Sequence, residues 1–509
     1  MTSATGHDAR ASVGPGSVVV LDGDPSLSRE LLGNKGFGIN LMRSLNLPVP
    51  PAFCLTTEVC TELMAGDHHA LDRVWPAVLD KVRWLESETS RTFGRGPRPL
   101  LVSVRSGATQ SMPGMLDTVL DLGIDDAVQQ ALASQVSPEF AADTRTRFRR
   151  MYQRIVLGDH TPAAVPDDPL VQLHGAIEAV FTSWNSPRAV AYRTHHGLDA
   201  AGGTAVVVQA MVFGNLHRDS GTGVVFTRNP ATGADAPLGE WLPGAQGEDV
   251  VSGAFDCLPL DALQTEQPVV FAELMAAASR LERIGRDVQD IEFTVEAGRL
   301  WLLQTRVAKC SPQAAVRLAL TFRGAGLIDD EETLRRVTPG HVRALLSPTL
   351  QPETRLAATL LATGLPASPG VASGTAYADV DAALDAADVG EDVILVRTST
   401  SPDDVVGMLA ARAIVTEVGG ATSHAAVVSR EIGVPAVVGC GTGVTAALEG
   451  KLITVDGGQG AVFEGALELT AWSERDTPDL VELATIARRV LDDVSDTPLI
   501  AMLTAVRDG

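Results

Sequence analysis

Aromatic side chains are scarce in this chain: Trp, Tyr and Phe make up 4% of its 509 residues. Its cores must therefore be filled by Val, Leu and Ala. Cations are also short, with 40 Lys and Arg against 63 Asp and Glu and a formal net charge of −23. That balance excludes a general nucleic-acid or anionic-membrane binder, since both need an excess of Lys and Arg. It leaves room for a local basic pocket. Cys54, Cys60, Cys257, Cys310 and Cys440 are odd in number and mostly far apart. They form no CxxC pair and show no metal-ligand spacing, so they read as reduced thiols. No run of about 18 apolar residues occurs, and the N-terminus has no basic segment leading into an apolar one. The expected location is cytoplasmic, with no membrane partner. What is present, 45% apolar and 20% charged residues, is ordinary for a globular protein of roughly three or four domains.

Along the chain, residues 1–16 read as a tail and 18–21 as a short strand. Gly33-Asn34-Lys35-Gly36-Phe37-Gly38 leads into a helix ending near Leu45, stopped by Pro48, Pro50 and Pro51. Residues 100–104 form a strong strand with Arg105 at its end. Residues 124–197 read as helical. Strands are expected at 204–212, 223–226, 291–295 and 300–304, and helices over 311–355. The cluster Leu365-Pro366-Ala367-Ser368-Pro369-Gly370 reads as a boundary. A compact α/β unit follows, with strands near 371–377, 393–396, 413–416, 436–438 and 452–455, and then a helical tail over 465–509.

Gly419-Gly420-Ala421-Thr422-Ser423-His424-Ala425-Ala426 carries the first chemical signal. The glycines allow a sharp turn after a strand, and Ser423 or Thr422 can cap a helix. His424 then lies in the first helical turn. The positive helix end disfavours imidazolium and favours a neutral, nucleophilic ring. A phosphorylated ring would meet free N–H groups there. The small Ala425 and Ala426 leave space for a bulky phosphodonor. A plain capping histidine fits the segment equally well.

Three further segments could bind phosphate. Lys35 sits in a glycine-rich turn without Walker A spacing. Arg105 precedes a loop, residues 106–118, rich in glycine and hydroxyls that can close over a nucleotide, and its guanidinium can grip phosphate. Asp290 and Glu292 alternate on one face of a strand. They face Gln304 and Arg306 across a turn at Ala297-Gly298, and oxygen ligands of this kind suit Mg²⁺ on phosphates. A solvated hairpin with cross-strand ion pairs is the alternative.

At these residues the sequence resembles the pyruvate, phosphate dikinase family. The match runs through Leu32–Gly36, Val102–Ala108, Ser111–Thr118, Gln209–Asn215, Gly221–Pro230, Ala245–Val251, Gln289–Thr294, Leu303–Arg306 and the His424 segment, in order. The resemblance implies an α/β and α+β multidomain chain: an ATP-grasp nucleotide domain followed by a swivelling α/β phosphohistidine domain. Its expected boundaries are 17–123 and 198–310 for the two ATP-grasp subdomains, 124–197 for a helical subdomain, 311–364 for a helical linker and hinge, and 365–464 for the phosphohistidine domain.

It further implies that Lys35 and Arg105 hold ATP phosphates and that Gly114 belongs to a glycine-rich lid. Met211 and Val212 would line the adenine hinge, and Glu248 would contact the nucleotide. Glu292 and Gln304 would hold Mg²⁺ beside Asp290. Arg306 would stabilise the transferring phosphoryl charge, and His424 would be the nucleophile. Thr422 falls where some relatives are regulated by phosphorylation. ATP and inorganic phosphate are the implied substrates, Mg²⁺ the cofactor, and a homodimer is admitted. The family ends in a phosphoenolpyruvate/pyruvate-binding barrel of on the order of 250 residues, whereas 45 residues follow position 464. A separate barrel protein is therefore the expected acceptor partner. The alternatives are a small-molecule phosphotransferase like the rifampicin phosphotransferases and a non-catalytic nucleotide-responsive partner.

Overall fold

A computed structural model of the chain describes residues 13–110, 112, 115–158, 164–198, 202–251, 255, 257–347, 349–470, 473–492 and 497–508. The chain divides into two compact units, Met1–Val212 and Phe213–Gly509.

The first unit is built on a five-stranded antiparallel sheet. Its strands are β1 (Val18–Val20), β2 (Ala52–Leu55), β3 (Val102–Ala108), β4 (Thr118–Leu122) and β5 (Thr204–Ala210), in the order β1-β2-β5-β3-β4. The prolines that stop the first helix also lead into β2, which the pattern of prolines concealed. β3 runs four residues past the expected end, so Arg105 lies within a strand rather than at its end. Helix α1 (Arg29–Ser44) is kinked at Gly33, where φ is 64° and ψ 174°. Only glycine fits there, because a Cβ would fall 1.6 Å from the carbonyl oxygen of Gly107. Helices fill most of 126–196, as their polar and apolar periodicity predicts.

The second unit opens with another five-stranded antiparallel sheet. It contains β6 (Gly221–Phe226), β7 (Leu238–Pro243), β8 (Leu258–Pro259), β9 (Gln289–Glu296) and β10 (Arg299–Val307), ordered β8-β7-β6-β9-β10. The hairpin β9–β10 turns through Ala297 and Gly298, both with positive φ, as the sequence reading expects.

A mixed eight-stranded sheet carries the histidine segment. Its strands are β11 (Leu360–Thr363), β12 (Leu365–Ser368), β13 (Val371–Tyr377), β14 (Val393–Arg397), β15 (Ala413–Thr416), β16 (Ala436–Val438), β17 (Leu452–Asp456) and β18 (Ala461–Glu464). β13, β14, β15 and β16 run parallel in that order. β11 pairs with β18 and β12 with β16, at opposite ends of the sheet, although Gly364 alone separates them. The Pro/Ser/Gly cluster read as a boundary is therefore a strand of this sheet. The core of this domain is aliphatic and alanine-based, including Ile394, Val396, Val415, Val437, Ile453 and Val455.

The segment read as a helical tail contains the helices Pro478–Val490 and Leu499–Asp508 and packs against earlier ones. Helices α2 (Pro312–Gly324), α3 (Asp330–Arg336) and α4 (Pro339–Leu345) share one buried core with two late helices, Pro478–Val490 and Leu499–Asp508. Leu334, Leu480, Leu483 and Leu503 are fully buried in it. The sheet domain is thus inserted between two halves of a helical body. The segments entering and leaving it meet at Thr349 and Thr470, which exchange backbone hydrogen bonds of 2.9 and 2.8 Å. Among the described residues, no helix is long and apolar enough to cross a membrane.

Leu483→Ala is expected to destabilise the chain by about 2–5 kcal/mol, the usual range for emptying a fully buried leucine site. Val481→Ala, at a position 47% exposed, should change stability by less than about 0.5 kcal/mol. Denaturant melts of both variants check this; equal effects would refute a shared core for the late helices.

Candidate active site

His424 opens helix α5 (His424–Ile432), directly after the turn that follows β15. Ser423 is the N-cap: its hydroxyl accepts from the Ala426 N–H, and Gly433 ends the helix in a left-handed conformation at φ 72°. Both roles follow the sequence reading. Ala425 and Ala426 do not leave space for a ligand, since both are buried inside the domain.

Thr400 Oγ1 lies 3.1 Å from His424 Nδ1. The other ring nitrogen, Nε2, is buried without a hydrogen-bond partner among the described residues. With the proton on Nδ1, the Thr400 hydroxyl accepts it and Nε2 presents a bare lone pair. Burial pushes the imidazole pKa down to about 4, against a smaller upward pull from Asp404. The ring is therefore neutral at physiological pH. Burial does this, rather than the helix end invoked from sequence. Asp404 is itself held by Arg397 at 3.0 Å.

The turn before His424 is seated on the second unit's antiparallel sheet. Glu240 of β7 accepts a hydrogen bond from the Thr422 hydroxyl, and Thr422 is buried. A Cβ on Gly420 would fall 1.9 Å from Glu240 Oε1, so a side chain there would push the Glu240 carboxylate aside. Further along α5, Glu431 pairs with Lys309 at 2.7 Å.

The hairpin β9–β10 assembles the expected patch. Asp290 stands opposite Arg306, and Glu292 opposite Gln304. Arg306 Nε and Nη2 lie 2.8 and 2.7 Å from Asp290 Oδ2. Burial pushes the Asp290 carboxyl up, and the Arg306 guanidinium pulls it the other way. Asp290 and Glu292 in turn keep Arg306 charged against the cost of its own burial. Glu292 and Gln304 supply a carboxylate and an amide as directly opposed oxygen donors. That pair fits Mg²⁺, which is usually held by one or two protein oxygens plus substrate phosphates. Among the described residues no cluster of three His, Cys, Asp or Glu could enclose a metal without such help. Glu248, in the first turn of helix Gly247–Val251, lies in the same unit and is half-buried.

In the first unit, Lys35 lies just beyond the α1 kink. A Cβ placed on Gly107 would sit 3.3 Å from Lys35 Cβ, so Lys35 overlies β3 on the face shared by Arg105. Arg105 Nη1 reaches Gln209 Oε1 at 3.3 Å. The two cations are thus on one face of one sheet. Met211 and Val212 follow β5, with the Met211 N–H donating to the Leu101 carbonyl. Gly114 lies outside the described residues, as do Ser111 and Pro113. Arg188 anchors the described end of that loop through the Met115 carbonyl at 3.1 Å and an ion pair with Asp117.

Thr400, Glu240 and Arg430 escaped the sequence reading. Thr400 was detectable: it lies in the loop after β14, and loops at the carboxyl ends of adjacent parallel strands form ligand sites in open α/β sheets. Glu240 and Arg430 carried no local signal.

The family profile "Pyruvate phosphate dikinase, AMP/ATP-binding domain" matches residues 71–270. That of "PEP-utilising enzyme, mobile domain" matches 389–460. Pyruvate, phosphate dikinase of Clostridium symbiosum is 39% identical over 88% of this chain and 57% of its own length. The Rhizobium meliloti protein of that name is 40% identical over 87% and 56%. Pyruvate, phosphate dikinase 2 of Zea mays is 39% identical over 87% and 56%. The chain spans a little over half the length of these relatives.

The pKa of His424 carries a pH consequence. Its folded value is depressed, so the native ring takes up no second proton between about pH 6.5 and 4, whereas the unfolded chain does. Stability from this group is full above about 6.5 and falls as pH drops through that window, by on the order of 3 kcal/mol in total. NMR of ring-labelled histidine should find His424 still neutral, with its proton on Nδ1, at about pH 5.5; titration near pH 6.5 would contradict this.

Proposed function

Because the chain carries the nucleotide-binding domain of the pyruvate, phosphate dikinases and the mobile domain of the PEP-utilising enzymes, we propose that it phosphorylates its own His424 from ATP. The carrying observation is the state of His424: Nδ1 engaged by Thr400 and Nε2 buried and bare.

In this reading Nε2 is the nucleophile. The β-phosphoryl group of ATP ends on it, as the N–P bond forms and the bond to the AMP oxygen breaks. The γ-phosphoryl group passes to inorganic phosphate. The products are AMP, pyrophosphate and phospho-His424, and the Nδ1 proton stays on the ring beside Thr400. Such transfers depend mainly on positioning and charge neutralisation. Lys35 and Arg105 hold phosphate oxygens, Arg306 meets the charge of the moving group, and Glu248 contacts the nucleotide. Met211 and Val212 line the adenine, and Gly114 belongs to the loop that covers the phosphates. Glu292 and Gln304 hold Mg²⁺, which when bound lowers the charge of the triphosphate. Asp290 orients Arg306.

Phospho-His424 is a carrier, so its domain must leave the nucleotide site after loading. The hinge is assigned to the paired crossing at Thr349 and Thr470 and the few residues flanking it. The phosphoryl group then passes to pyruvate or another small acceptor on a barrel outside these 509 residues. We assign the cytoplasm as the site of action.

The test uses ATP labelled at the β-phosphorus, with Mg²⁺ and inorganic phosphate. Acid-labile label should appear on the full chain and be absent from His424→Ala. Label that persists in the variant, or label delivered from the γ-position alone, would overturn the proposal. Thr400→Val should slow loading by about 10–100-fold with little change in the KM for ATP, because the hydroxyl orients the reacting ring.

A further inference from the structure

Arg430 is the cation that the mechanism leaves unused. It lies six residues beyond His424 on α5, is only 2% exposed, and forms no ion pair with a carboxylate among the described residues. Its guanidinium donates from Nη1 to the Ala367 carbonyl and from Nη2 to the Ala421 carbonyl, both at 3.0 Å. Nε is buried without a partner. Leaving a fully buried guanidinium short of one acceptor is costly, and such sites persist where the charge has another use.

Two surroundings indicate that use. On one side is the catalytic turn: Ala421 lies three residues before His424, so one fork of Arg430 fixes the backbone from which the nucleophile starts. On the other side is the nucleotide unit's sheet. Arg430 lies over the ring of Phe226, 5.6 Å from its centroid. Phe226 stands directly beside Asp290 in the sheet, and Asp290 directly beside Arg306. Arg430 therefore rests over the row Phe226–Asp290–Arg306, two residues along the strands from the Glu292–Gln304 pair. The charges facing it are Asp290 and Glu240, which favour the guanidinium, and Arg306, which opposes it. Lys309 and Glu431 form the adjoining ion pair of the same contact.

We propose that Arg430 is a positioning residue that sets the histidine helix in register with the carboxylate row at Asp290. Its fork ties the turn at Ala421 to strand β12 through Ala367. Its charge, unpaired within its own domain, is satisfied only when the helix sits over Asp290 and Glu240. Loading is thereby made conditional on one seating of α5, in which His424 faces its donor. A helix displaced by one turn, about 5.4 Å, would take Arg430 off that row. A guanidinium with two carbonyls on one side and carboxylates on the other serves this better than an ammonium, because its planar fork has fixed directions.

The inference rests on the loading reaction proposed above, and its test keeps the two separable. Loading of His424 from β-labelled ATP would be followed in single turnovers for the full chain and for Arg430→Met and Arg430→Lys. Wild-type loading must be seen first; its absence counts against the loading proposal itself. The expected result is that Arg430→Met slows loading at saturating ATP by 10-fold or more, with the KM for ATP within about 2-fold of wild type. Arg430→Lys keeps the charge without the fork and should fall between the two. Added guanidinium ion should recover part of the lost rate in Arg430→Ala. Circular dichroism and melting temperature verify folding. If Arg430→Met does not fold, the folded lysine variant decides, since wild-type loading by it would refute the register role. Loss expressed in the KM for ATP, or wild-type loading by a folded Arg430→Met, would equally overturn the inference.

Discussion

Keeping one imidazole neutral and dry is the constraint on which the rest of this structure depends. In the proposed reaction His424 must lose its hydration, and an imidazolium would resist that loss. The fold meets the requirement by burying the ring, engaging Nδ1 with Thr400 and leaving Nε2 without a partner. The neighbouring elements serve that arrangement. Ser423 caps the helix, the backbone at Gly419 takes φ 119° to bring the chain in, and the helix packs against strands β12 and β16.

In the proposed carrier role the buried His424 must also be delivered and withdrawn. The helical body and the double crossing at Thr349 and Thr470 give the inserted domain a defined attachment. Among the described residues, the contacts of its histidine face include polar ones, Thr422 with Glu240 and Glu431 with Lys309, and the charge of Arg430 set over the Phe226 ring and toward Asp290. Polar contacts of this kind have a narrow energetic range, because each charged group regains water on separation. They suit a face that docks in one register and is then released. An apolar interface of the same extent would hold the domain in place.

The sequence made much of this legible, and the parts it concealed have physical reasons. The hairpin with Asp290, Glu292, Gln304 and Arg306 could be read only in part: alternation sets Asp290 with Glu292 and Gln304 with Arg306, but a register shift between Glu292 and Phe293, which no local pattern announces, brings the two pairs opposite one another. The helix at His424 could be read because its cap and its terminating Gly433 are local. The segment at 365–370 read as a boundary and not as a strand, because Pro366 disfavours a strand interior; the strand Leu365–Ser368 tolerates it as an edge strand, paired with β16. The late helices looked like a tail because their partners, α2 to α4, lie more than 100 residues earlier. Arg430 and Glu240 had no signature, since their roles arise from contacts between segments distant in sequence. The neutral ring was anticipated for the wrong cause, because burial depends on neighbours that a motif does not name.

The most direct measurement of the central claim is the site of the phosphoryl group within the ring. Phosphorus-31 NMR of the loaded, denatured chain distinguishes phosphorus on Nε2 from phosphorus on Nδ1. With Thr400 on Nδ1 and a bare Nε2, the signal should be that of the Nε2 phosphoramidate at His424. A signal from the Nδ1 isomer, or phosphorus on any other residue, would contradict the account.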